Sequence, residues 1–92
     1  MKTQRNRRTP IEKIQYDTLK TVKHFEEQGF TEVPRRFIAL RLNERHSTVS
    51  KRLERYDRFH GWIATSKHEG FKVVHLTEKG QEHLDNLRMI FE

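Results

Sequence analysis

The chain has 92 residues, 33% hydrophobic and 35% charged, with a formal net charge of +6 and no cysteine. That length supports one small core, and the missing cysteine excludes a disulfide framework, thiolate zinc sites and a cysteine nucleophile. No apolar run approaches the ~20 residues of a membrane span, and no hydrophobic segment follows the basic start, so a soluble cytoplasmic protein is expected.

Charge is sorted along the chain. Residues 1–9 carry Lys2, Arg5, Arg7 and Arg8 and no acid, and residues 34–60 hold eight bases against three acids. Residues 10–33 and 77–92 are net acidic. Solubility alone does not require this segregation, whereas binding a polyanion does.

Residues 1–9 lack apolar periodicity and are expected to form a flexible basic arm, with residues 10–92 as one domain. Thr9, Pro10 and Glu12 carry the signals of a helix start: N-cap, first-turn proline and capping-box acid. The first helix is then predicted to about Gln28, with Gly29 as its C′ residue. Its core stripe reads Ile11, Ile14, Thr18, Val22 and Phe25. Tyr16 and Leu19 fall off that stripe, which predicts apolar surface beyond what one core contact requires. Phe30 to Val33 reads as a short extended connector.

Pro34 opens a second helix carrying Phe37, Ile38, Ala39 and Leu42 inward, and Asn43 is the expected left-handed turn residue. Ser47 is predicted to cap a third helix that Gly61 ends. The period then changes. Residues 62–66 and 71–76 are strand-like and predict a β-hairpin around residues 67–70, with Gly70 at positive φ. Thr77 caps a last helix to about Phe91. There Leu84, Leu87 and Phe91 form one stripe, with Met89 and Ile90 off it.

The third helix is the most informative segment. Val49, Leu53 and Tyr56 recur at i, i+4 and i+7 and share one face. Thr48, Ser50, Lys51, Arg52, Arg55 and Arg58 occupy the other faces, beside the capping Ser47. Short hydroxyls that approach a groove, and long cations that reach phosphates and base edges, are what a DNA duplex requires. Glu54 reads as an i+4 partner of Arg58. The six histidines show no metal-ligand spacing, and no catalytic arrangement is defensible. Neither a metal, a cofactor nor enzymatic activity is therefore expected.

From Phe37 to Gly80 the chain resembles the winged helix-turn-helix domains of the MarR and PadR type. The resemblance rests on Ile38-Ala39 and Leu42, on Ser47 through Leu53, on Gly61-Trp62-Ile63 entering the wing, and on Leu76-Thr77-Glu78-Lys79-Gly80 leaving it. It departs at Asn43, where glycine is common, and at Glu44, where an aliphatic residue is usual. The resemblance implies an α+β, mostly α fold: three helices, a two-stranded β-hairpin wing and a C-terminal helix. It further implies that Arg35, Arg36 and Arg41 flank the phosphate backbone and that Lys67, His68 and Lys72 serve the wing.

The expected function is sequence-specific binding of double-stranded DNA by a homodimeric transcriptional regulator. The alternative is a DNA segregation adaptor that spreads along DNA and recruits a further protein partner. The dimer is expected to form through Tyr16, Leu19, Leu87, Met89, Ile90 and Phe91, apolar residues read as surplus to one core.

Overall fold

The computed structural model describes residues 10–92, so the basic arm and the Thr9 cap fall outside the described residues. The elements run in the order α1 (Ile11–Glu27), β1 (Val33–Pro34), α2 (Arg35–Leu42) and α3 (His46–Arg55), followed by a π-helical turn (Tyr56–His60). β2 (Ile63–His68), β3 (Phe71–Leu76) and α4 (Glu78–Phe91) complete the chain. This is a winged helix-turn-helix architecture, as the sequence leads one to expect.

Helix ends form where the sequence places them. Gly29 takes φ 109°, and its N–H and that of Phe30 close back on the carbonyls of Glu26 and Phe25. The Phe30 ring meets that of Phe25 at 5.6 Å, which completes a Schellman stop with its hydrophobic contact. Asn43 ends α2 in the left-handed region, with Glu44 N–H donating to Ala39 O. Thr77 Oγ1 accepts from Gly80 N at 3.0 Å, as an N-cap should.

Three details differ from the expectation. α3 begins at His46 with Arg45 in the cap position and no side-chain cap, so Ser47 lies inside the first turn. The wing sheet has three strands in the order β1-β3-β2, because Val33 and Pro34 pair antiparallel with Val74 and Val73. Pro34 is tolerated there because a two-residue edge strand requires few N–H donors. The hairpin turn is also tighter than predicted: the strands run to His68 and Phe71, leaving only Glu69 and Gly70 between them.

Both turn residues have positive φ, 52° and 86°, the pattern of a type I′ hairpin turn that favours Asn-Gly. Glutamate in that conformation stores strain. Replacing Glu69 with asparagine is expected to stabilise the fold by ~0.5–1 kcal/mol, read as a higher urea midpoint. An unchanged or lower midpoint contradicts the strain argument.

The core is one cluster built from α1, α2, α3, β1, the hairpin and α4, with Leu19, Ile38, Leu53, Ile63 and Leu84 fully buried. α1 is covered from two sides. Thr18 and Val22 are buried and Phe25 is half-buried, while Tyr16 and Leu19 are also buried, Tyr16 beneath the Phe91 ring at 5.4 Å. Tyr16, Leu19 and Leu87 therefore belong to the core of the chain itself, and the sequence-based assignment of these three to a dimer surface is corrected. Ile11, expected inside, is exposed.

Trp62 joins the wing to the helices. Its ring is stacked between His60 at 4.1 Å and His83 at 3.9 Å, and His83 Nε2 lies 3.0 Å from Gln15 Oε1 on α1. Burial, with the nearby His60 adding to it, holds the His83 imidazole below its ordinary pKa. The neutral ring is thus favoured in the folded state relative to the unfolded one. Its contribution to stability is present above the unfolded value of about 6.5 and is lost as pH falls through the lowered folded value. Replacing His83 with glutamine should flatten the stability profile below about pH 6.5, measured by urea titration at several pH values. An undiminished slope places the titrating group elsewhere.

Candidate nucleic-acid interface

α3 packs Val49 and Leu53 into the core, with Tyr56 buried at the start of the π turn. At 100° per residue, Ser47 and Lys51 lie roughly opposite that seam with Arg55 beside them, and Arg58 follows in the π turn. All four side chains are exposed, as is Thr48. None of Lys51, Arg55 and Arg58 has an ion pair among the described residues, so their charge is available to a ligand.

Two of the predicted contacts are committed internally. Arg52 makes a two-pronged ion pair with Glu44, Nη2 to Oε1 at 2.6 Å and Nη1 to Oε2 at 3.1 Å. The same Nη1 donates to Thr18 Oγ1 on α1 at 3.1 Å. Thr18 in turn donates to Ile14 O. Burial pushes the Tyr56 hydroxyl up to about 12, so it stays protonated at any ordinary pH. Arg52 lies only about 40° round the helix from Tyr56, which is why it turns inward. Arg52, expected on the DNA-facing surface, ties the helix-turn-helix to α1 in this structure.

Arg35 is the second correction. It is 3% exposed, and Nη1 contacts Glu54 Oε2 at 3.4 Å. Glu54 therefore serves Arg35 on α2, not Arg58. Ser50 is half-buried and its Oγ is covered, which sets it back from the exposed arc.

The remaining predicted residues divide by position. Arg36 is exposed and its guanidinium lies 5.1 Å from the centre of the Phe71 ring on the wing. Lys67 and Lys72 are exposed and directly opposite each other across β2 and β3. His68 sits beside the turn, 3.8 Å from Glu69 and 4.0 Å from Glu32, so carboxylates already surround it. Arg41, at the far end of α2, lines a hollow with Asp17, Lys20 and His24 of α1, apart from the wing. Arg36 lines a hollow with Lys72, and Arg58 lines a cleft with Lys67 and Lys72, with Asp57 holding the π turn to the wing through Thr65 N and Oγ1 at 3.2 and 2.7 Å.

Sequence reasoning overlooked Arg45 and His46, both exposed at the entry to α3. Their signal was present: they lie immediately before Ser47 in the basic third of the chain. A hollow of about 440 Å³ separates α1 from α3, walled by Ile11, Ile14 and Gln15 on one side and Thr48, Lys51 and Arg55 on the other. Among the described residues no group of three or more His, Asp or Glu side chains is placed to hold a metal ion. No helix among them is long and apolar enough to cross a membrane.

No family model and no curated protein matches the sequence. Solved structures do share the fold. The S. aureus MepR–DNA complex superposes with a TM-score of 0.70 at 24% identity, over 85% of this chain and 55% of the MepR chain. A MepR point mutant bound to an oligodeoxyribonucleotide gives 0.65 at 20% identity, over 82% and 56%. AF1382 from Archaeoglobus fulgidus gives 0.72 at 22% identity, over 90% of this chain and 88% of its own. The chain thus spans little more than half the length of the MepR chains. At these identities the likeness establishes the fold.

Proposed function

We propose that the protein binds double-stranded DNA sequence-specifically, as a cytoplasmic, nucleoid-associated homodimeric transcriptional regulator. The observation that carries this reading is the set of exposed cations without ion pairs among the described residues, Lys51 and Arg55 on α3 and Arg58 in the π turn, the last sharing a cleft with the wing lysines Lys67 and Lys72. Recognition helices meet base edges mainly through their N-terminal turns, which assigns readout to Ser47, Thr48, Lys51 and Arg55 and phosphate contact to Arg58. The fold likeness to MepR, crystallised on DNA, supports the reading.

Met89 and Ile90 supply the dimer contact. They are 85% and 66% exposed on the last turn of α4, on an acidic segment that has no business against DNA. Two-fold symmetry would set two recognition helices about 34 Å apart, one turn of duplex.

Footprinting on DNA from the chain's own genomic neighbourhood, over a protein concentration series, tests the proposal. A fixed, two-part protected site is expected, with affinity falling by about 0.9 log units per phosphate contact for each decade of salt. Lys51→Ala should relax sequence preference by ~1–3 kcal/mol. Protection that lengthens with concentration would point to the spreading adaptor, and salt-independent binding would overturn the electrostatic argument.

A further inference from the structure

Resting on the DNA-binding reading, we infer that the cleft between the end of α3 and the wing is an oxyanion site whose cations hold a phosphate group. Its volume is about 290 Å³. Register puts Lys67 directly opposite Lys72 on one face of the hairpin, an arrangement that destabilises a strand pair through like-charge repulsion. Arg58 lines the same cleft from the π turn. None of the three has an ion pair among the described residues.

The two carboxylates that line the cleft do not relieve this charge. Asp57 accepts from the backbone and hydroxyl of Thr65. Glu54 is occupied with Arg35, through the single contact at 3.4 Å. Arg35 adds an independent sign. It lines the cleft with its side chain 4% exposed, and its Nε is buried without a partner among the described residues. A buried guanidinium has five donors to satisfy, and leaving them unmet is costly. Three cations without ion pairs, beside two engaged carboxylates and a buried guanidinium with one donor unmet, call for a compact anion that offers several oxygen acceptors. A phosphate group has that chemistry. It comes either from the sugar–phosphate backbone of a duplex or from free phosphate in solution.

Amide NMR on the full chain, titrated with inorganic phosphate and separately with chloride at matched ionic strength, reads the pocket without DNA. Saturable shifts of Thr65, Lys67 and Lys72 with phosphate alone are expected, and their loss in the Lys67→Gln/Lys72→Gln variant. That variant removes a repulsive pair, so its melting temperature should equal or exceed that of the parent, which excludes unfolding as the cause. The salt slope of duplex binding distinguishes the two sources. A slope reduced by about 0.9 per chain in the variant assigns the pocket to a backbone phosphate. An unchanged slope with saturable phosphate shifts assigns it to the free anion. Shifts that follow ionic strength regardless of the anion, together with an unchanged slope, overturn the inference while leaving DNA binding by the parent intact. If the parent binds no duplex, the function reading fails and the phosphate titration still decides the pocket.

Discussion

Replacing Gly80 with alanine is expected to cost about 3 kcal/mol or more, a large share of the ~5–15 kcal/mol that a fold of this kind possesses. The residue sits in the first turn of α4, where alanine is intrinsically better by ~1 kcal/mol. Sterics overrides that preference. A Cβ at this position would lie 1.9 Å from the carbonyl oxygen of Trp62 and 2.7 Å from its carbonyl carbon. The obstruction is backbone and cannot swing aside. The Trp62 carbonyl accepts from Thr77 N at 3.0 Å, and the Trp62 ring is clamped between His60 and His83. The cap hydroxyl of Thr77 also donates to Gly61 O at 2.6 Å. Wing, π turn and α4 are thus locked around this contact. Gly29→Ala is the control: nothing lies within 4 Å of its added Cβ, and only its φ of 109° opposes the change, at roughly 1–2 kcal/mol. Urea unfolding of both variants measures the difference. A Gly80→Ala midpoint equal to that of Gly29→Ala would refute the close approach.

The path of the chain was legible because its punctuation is local. Gly29, Asn43, Gly61, Gly70 and Thr77 each take the backbone role that their chemistry favours. What could not be read locally was how many neighbours a helix has. Tyr16 and Leu19 are surplus only to a helix with a single partner, and α1 has more than one. It packs instead against the winged body on one face and α4 on another, so its wide apolar surface is spent within one chain. The two-residue strand Val33–Pro34 was equally hidden, since a pairing so short has no period. At the interface, composition found the right helix but could not separate a cation facing solvent from one with a partner elsewhere. The partners of Arg35 and Arg52 lie 19 and 8 residues away, and the further contact of Arg52 with Thr18 spans 34. The angular position of Arg52 beside Tyr56 was available in the sequence and is the clue that marks it as structural.

Arg52 therefore yields a prediction opposite to the one its place in a basic helix suggests. Arg52→Ala is expected to damage folding before recognition. Both partners of the Arg52–Glu44 pair are largely covered, with side chains 13% and 14% exposed, so removing either one takes a two-pronged, charge-assisted contact out of a poorly solvated place. Breaking such a pair costs ~3–5 kcal/mol, whereas replacing both members with apolar residues of similar volume is often neutral. Arg52→Ala and Glu44→Ala should each lower stability by that order. The Arg52→Met/Glu44→Leu double variant should recover most of the loss, leaving Thr18 Oγ1 its bond to Ile14 O. The DNA readout separates the two roles. A positioning residue can be exchanged in a refolded pair without altering which bases are preferred, while a base reader cannot. The double variant should thus keep the sequence preference of the parent, with Lys51→Ala as the variant that loses it. If the double variant is stable but binds specific and random duplexes alike, Arg52 reads bases after all, and its contact with Glu44 is a resting position that DNA displaces.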